Sequence, residues 1–255
     1  RSSDLVEIHI GVQGEPFLYA DLIPLVEDLY NNKQITIISM DSNFTIVTKS
    51  QIDELSKFKD KLRFNVSLDA IDPELAEKMA GCKYNVNYVM KMIKYAVEKE
   101  VKVLIAPVYL PGYNDQELVK IVNFVKELGI EKKAKHPIIG IQNFLNYKTG
   151  RNPTRAKSWQ EFYQMINELS EKTATKQKLS ATDFGIQKTK ELDKPFQIDD
   201  TVKAIIKSPD RFANSCIAVA KNRVISIPNC DFKKGKKVRV KISRDKHNIF
   251  NGKLV

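Results

Sequence analysis

Apolar runs that stop abruptly on short polar loops, each loop handing over to an amphipathic stretch, most limit what this chain can fold into. VEIHI (6–10) leads to Gly11-Val12-Gln13-Gly14-Glu15-Pro16, ITIIS (35–39) to Met40-Asp41-Ser42-Asn43, and the strand LRFNVSLD (62–69) to the helix start Asp72-Pro73-Glu74. VKVLIAPVYL (101–110) leads to Pro111-Gly112-Tyr113-Asn114-Asp115, and HPIIGIQNFLNY (136–147) closes the series. Apolar residues at helical spacing follow: Leu22, Ile23, Leu25, Val26 and Leu29, then Ile52, Leu55 and Phe58, then Val89, Met92, Ile93 and Val97. A later stretch, 158–173, carries Trp159, Phe162, Tyr163, Ile166 and Leu169 in the same rhythm. Strand, loop and helix in alternation predict parallel strands covered by helices, with ligands at the C-terminal strand edge.

Several residues at that edge have useful chemistry. Gly14 permits close approach of a ligand to the backbone, and Glu15 offers an acceptor to an ammonium group. The same pair also suits a tight strand-to-helix turn. Ser67 and Asp69, two apart on an extended run, point to one side and suit hydrogen bonds to a ribose diol. Equally, Asp69 reads as a strand-end residue ahead of the next helix. Asn43, Asn114 and Asn143 sit near strand ends, where turn roles are common.

From Phe196 the pattern changes to short β runs without a helix: TVKAIIK, SCIAVA, NRVISI, KKVRVKI and NGKLV. Five such runs in this span predict a small barrel. Charge changes with them. Residues 193–255 hold 15 Lys/Arg against 6 Asp/Glu, a net +9 of the chain's +11, which points to a polyanion at this end. Cys82, Cys216 and Cys230 are scattered and odd in number, which argues against a disulfide framework. No apolar run is long enough for a membrane helix, and RSSDLVEIHI lacks the core of a signal peptide, so a cytoplasmic protein with no membrane partner is expected.

The edge motifs, taken in order, resemble those of the radical S-adenosylmethionine (SAM) superfamily. GVQGEPFLYADL is similar to its GGEP motif, SNFTIVTKSQIDEL to its TNGTLLT segment, and NVSLDAIDPELAEKMAG to its fourth strand. IAPVYLPGYND and IIGIQNF resemble the fifth and sixth strands, so the likeness spans about residues 5–147. The resemblance implies that Gly14 and Glu15 hold the methionine portion of SAM, that Ser67 and Asp69 reach its ribose, and that Asn43 contributes more weakly. It also implies a 4Fe-4S cluster, a 5′-deoxyadenosyl radical and an electron donor such as a ferredoxin or flavodoxin. Two departures stand out. Phe44 replaces the family's usual glycine, and the CxxxCxxC cluster motif is absent, so no metal ligand is expected in this chain. Those ligands, with the family's first strand, are expected upstream of Arg1.

The basic segment resembles a TRAM-type RNA-binding barrel. On charge and strand rhythm, Lys236, Arg239, Lys241, Arg244 and Lys246 are expected to track phosphates, with His247 or Phe250 stacking on a base. A lysine-protected edge strand is the plainer alternative. The expected architecture is α/β: a partial (β/α)6 barrel over 1–172, a polar tether over 173–194, and a small all-β barrel over 195–255. The function expected is a radical SAM enzyme modifying RNA, with tRNA the leading substrate. A protein or small-metabolite substrate, or a cluster-free RNA-binding protein, are the alternatives.

Overall fold

The computed structural model describes residues 6–11, 14–130, 137–146, 151–184, 193–210, 212 and 214–255. The chain divides into two compact units, Arg1–Gln187 and Lys188–Val255.

In the first unit, β1 (Val6–Ile10), β2 (Ile35–Ser42), β3 (Leu62–Val66) and β4 (Lys102–Ile105) form a parallel sheet in sequence order. The 101–110 run does not stay one strand. Pro107 has no N–H to give a ladder, and the run breaks into β4 and β5 (Val108–Tyr109), which pairs with β6 (Gln142–Asn143). A bridge from Ile105 to Ile139 carries the pairing across the break. Helices α1 (Leu22–Asn31), α2 (Lys49–Ser56), α3 (Pro73–Ala80), α4 (Val86–Glu98) and α5 (Glu117–Glu127) follow the strands, and α6 (Trp159–Thr173) comes after β6. Their starts follow their sequences. Thr48 with Gln51 and Ser158 with Glu161 form capping boxes, and Asp72 and Asn85 cap α3 and α4 with their side chains.

Alternation sets the two faces of this sheet. Ile38, Met40, Leu62, Phe64, Val66, Val103 and Ile105 pack with Val26, Ile52, Leu55, Val89 and Ile93 of the helices in one core. The residues between them, Ser39, Asp41, Arg63 and Asn65, lie on the opposite face. After α6 the chain does not leave at once. Gln177 is buried and bonds Ser170 and Thr173, Leu179 packs against Gly140, and Arg63 lies 4.9 Å over the Phe184 ring. Residues 174–184 of the expected tether therefore pack on the first unit, whereas 185–192 lie outside the described residues.

The second unit is a closed barrel of β7 (Thr201–Pro209), β8 (Ser215–Ala220), β9 (Arg223–Pro228), β10 (Lys237–Arg244) and β11 (Phe250–Leu254), in the order β10-β11-β9-β8-β7. Its interior holds Ala204, Ile206, Cys216, Ala218, Ile225, Ile227, Val240, Ile242, Phe196 and Phe250.

Candidate functional site

The C-terminal edge of the first sheet is stitched together by side chains from four loops. Glu15 caps a 3-10 turn, Pro16–Leu18, by accepting the Phe17 N–H, and reaches sideways to β2. One carboxylate oxygen accepts the Ser42 hydroxyl at 2.7 Å and the other accepts the Asn43 N–H at 2.9 Å. With three donors on it, this carboxylate binds the first loop to the second. Any ligand ammonium at this point meets an acceptor already held in place. Gly14 beside it has φ +82° and nothing within 4 Å of where a Cβ would stand, so its backbone is open to a ligand. Gly11 has the opposite situation. A Cβ there would lie 2.7 Å from the Asp41 carbonyl oxygen, at φ +110°.

Phe44 keeps a left-handed backbone at φ 58°, the conformation a glycine adopts without strain. Its ring is fully buried and meets Phe17 at 5.9 Å and Phe64 at 5.2 Å. The replacement thus leaves the edge uncovered, because the ring points into the core. Asn43 accepts the Thr45 N–H and hydroxyl, an Asx turn that shapes the same loop.

Ser67 is exposed, and its N–H is bonded to the Ser42 carbonyl, so the third loop joins the second. Asp69 accepts the Val108 N–H at 2.8 Å, the donor freed where β4 and β5 separate. Burial pushes the Asp69 carboxyl above the usual carboxylate range, against the opposing pull of that N–H. Asn114 is fully buried beneath and donates to the Asp69 and Val108 carbonyls while accepting the Leu110 N–H. Glu117 accepts the Ile71 and Asp72 N–H groups and pairs with Lys120 at 2.6 Å. Burial raises the Glu117 carboxyl, but Lys120 and the two N–H groups outweigh it and hold the group below its ordinary value. Gly14, Glu15, Asn43, Ser67 and Asp69 therefore lie along one edge. Asn114 and Glu117 support it from pairings that no local sequence pattern displays.

On the sheet face away from the helices, His9 contacts Ser39 at 2.8 Å and Asp41 at 3.0 Å. Asp41 accepts from Asn65, which accepts from Arg63, which in turn pairs with Glu7 at 2.7 Å. This polar chain runs across three strands below the edge. At the far end, Asn143 is buried, donates to the Lys157 carbonyl and leaves its side-chain oxygen without a protein partner.

Three comparisons bear on this arrangement. Residues 2–125 match the profile of the radical SAM superfamily. Residues 2–125 of the first unit are thus radical-SAM-like in sequence, and the unit is radical-SAM-like in fold. Along its whole length the chain is 33% identical to an uncharacterized protein of Methanocaldococcus jannaschii, of which it covers 64%. It is also 31% identical to the GTP 3′,8-cyclase of Staphylococcus carnosus over 49% of this chain and 38% of that protein. Among solved structures, SuiB of Streptococcus suis bound to S-adenosylmethionine shares the fold at a TM-score of 0.51, with 20% identity over 66% of this chain and 35% of that one. The chain thus spans about two thirds or less of these relatives' own length.

The likeness to the superfamily implies SAM and a 4Fe-4S cluster, and the first unit treats the two differently. The edge fits SAM: among the described residues the Gly14 backbone is open, the Glu15 carboxylate is held in place by its three donors, and the buried Asn143 oxygen lacks a partner. The cluster does not fit the residues present. Among the described residues no group of three His, Cys, Asp or Glu side chains is placed to hold a metal. Cys82 is exposed on the first unit, whereas Cys216 and Cys230 are buried in the second.

In the second unit Lys237, Arg239 and Lys241 alternate outward on β10 while Val240 and Ile242 face in, as the strand rhythm predicts. Lys236, Arg244, Lys246 and His247 are exposed as well. Phe250 is a correction. Its ring is 2% exposed and meets Phe196 edge-on at 5.2 Å in the barrel core, so it is unavailable to a base. The alternation that brings cations outward on β10 brings the first residue of β11 inward. Phe232, 45% exposed in the loop DFKKGKK with four lysines beside it in the sequence, is a further exposed aromatic of this unit. Across the strands Lys203 stands opposite Arg239, and Lys253 opposite Lys241.

Proposed function

We propose that the protein is a radical SAM enzyme that modifies RNA, with SAM held at the edge of the first unit and RNA docked on the second. SAM, when bound, would supply the group that abstracts a hydrogen atom from the substrate, while the cluster this requires finds no ligands among the described residues. The residues of this chain bind and orient. Gly14 and Glu15 receive the methionine end of SAM, Asp69 and Ser67 its ribose, and Asn43 shapes the loop between them. Asn114 and Glu117 hold the Asp69 segment in place. tRNA is the leading substrate on this reading.

The RNA part rests on one observation. Like charges placed directly opposite on neighbouring strands are destabilising, yet β7, β10 and β11 put Lys203 against Arg239 and Lys241 against Lys253. One of the four, Lys241, has an exposed ion pair with Asp199. A barrel that accepts this repulsion has a use for it in binding a polyanion, since its apolar interior already gives folding a driving force that needs none of these cations. A second reading, a free nucleotide as substrate, is favoured by the likeness to GTP 3′,8-cyclases, whose name gives them a guanine nucleotide.

Measuring RNA affinity against salt tests the proposal. Replacing Lys203, Arg239 and Lys241 by Gln should weaken binding and flatten the log–log salt slope by about 0.7 for each phosphate of a single strand that is no longer neutralised. An unchanged slope would sink the docking role of the barrel. Tight binding of GTP with no measurable RNA affinity would favour the second reading.

A further inference from the structure

Trp159 and Tyr163 occupy one exposed face at the start of α6. Trp159 is 54% and Tyr163 37% exposed, and their rings lie 5.7 Å apart at an interplanar angle of 29°. Phe162, edge-on to Trp159 at 6.0 Å, is buried and fixes the pair to the core. The surface around them is cationic. Lys178 comes from a separate segment to lie 4.2 Å over the Tyr163 ring. Arg151, Arg155 and Lys157 precede Trp159 without an acidic residue among them, and all three are exposed. The nearest acid in the sequence, Glu161, accepts the Ser158 N–H and hydroxyl at the helix cap through one oxygen and pairs with Lys157 at 4.0 Å through the other.

The position of this face is set by hydrogen bonds to the edge that holds the proposed SAM site. Asn143 donates to the Lys157 carbonyl, Thr154 donates to the Pro111 carbonyl, and Asn146 accepts the Ala156 N–H. Pro111 begins the loop that leaves β5 at its C-terminal end. The aromatic pair is therefore carried on the rim beside the reactive edge.

We propose that Trp159 and Tyr163 form a stacking platform for unpaired bases of a single-stranded RNA segment, with Arg155, Lys157 and Lys178 receiving its phosphates. The inference rests on the RNA reading above and adds a second contact, on the first unit, independent of the barrel. Two flat apolar faces alone would fit many partners. Flat faces ringed by cations fit a polymer that alternates π systems with negative charge, and stacking on an aromatic ring is tolerant of base identity. A segment held there lies next to the edge where chemistry would occur.

Trp159 is the only tryptophan in the chain, so its emission reports the platform directly. The test titrates the chain with a fluorescently end-labelled short oligouridylate, following tryptophan emission and label anisotropy together, with inorganic polyphosphate as a baseless polyanion. The expected result is quenching by the oligonucleotide and none by polyphosphate. Trp159→Ala should weaken binding about tenfold or more, and Trp159→Tyr should restore most of it. Tyr163→Ala serves as a second variant that keeps the reporter. Oligonucleotide binding without quenching, at an affinity unchanged in Trp159→Ala, would overturn the platform and leave the RNA reading standing. Equal quenching by polyphosphate would overturn base stacking. No anisotropy change at low salt would overturn both.

Discussion

In the first unit, the sheet face turned away from the helices carries Glu7, His9, Ser39, Asp41, Arg63 and Asn65 in a continuous chain of hydrogen bonds. In the second unit the core among the described residues is a cluster of apolar residues and two cysteines, and the β10 cations Lys237, Arg239 and Lys241 are exposed. An open parallel sheet with one face covered by helices keeps the other available for polar chemistry, and Arg63, nearly buried, is satisfied there by Glu7 and Asn65. A five-stranded closed barrel has no such room. Its interior is just wide enough for side chains, so polar residues are expelled to the surface and recognition has to happen there. One unit places its polar groups on a sheet face, and the other places them on its outer surface.

The sharpest way to break this contrast is to attack the small core. Phe250→Ala should cost about 3–5 kcal/mol, because the buried ring packed on Phe196 is replaced by a cavity. Denaturant unfolding followed by circular dichroism should show the loss in the barrel, while the Trp159 transition, which reports the first unit, moves far less. If RNA affinity fell in Phe250→Ala without loss of stability, the placement of Phe250 in the core would be wrong.

A middle-sized effect is expected at Asp69, with a sign that depends on pH. An acid raised in the folded state holds its proton longer than in the unfolded chain, so stability falls as pH rises from the unfolded value through the raised one. Asp69→Asn should remove that fall and make the first unit more stable at neutral pH, since the amide oxygen can still accept the Val108 N–H. SAM affinity should drop in the same variant. A stability profile against pH that is identical in the two proteins would contradict a buried carboxyl at this edge.

The smallest effect expected is a gain. Lys253→Thr removes one of two like-charged partners across β10 and β11 and should stabilise the barrel by about 0.2–1 kcal/mol, read as a small rise in the denaturant midpoint. A decrease instead would mean the repulsion is already neutralised, and the case for a polyanion would weaken with it.

Most of the edge could be read from the chain because local rules determine it. Apolar runs mark the strands, and Gly14 and Glu15 mark the first loop, but β3 ends at Val66, so the period of two does not reach Ser67, which is exposed, or Asp69, which turns to the Val108 N–H. What was not legible depends on long-range pairing. Nothing near Asn114 in the sequence announces that it holds the Asp69 carbonyl 45 residues away, and nothing near Lys203 announces Arg239. Phe250 was misjudged for the related reason that a cation-rich run and the strand following it take their inward and outward faces from the closure of the barrel. Pro107 did carry a visible signal, a missing ladder donor, and the break it causes is what leaves the Val108 N–H for Asp69.

Phe44 has a consequence for how the SAM edge moves. The loop it belongs to cannot swing outward unless its ring leaves the cluster with Phe17 and Phe64, while its N–H gives up the Ser42 hydroxyl. A glycine in the same conformation would release the loop at little enthalpic cost. With phenylalanine there, loop and core form one cooperative folding unit, so the edge is a fixed wall against which ligands and other loops must adjust.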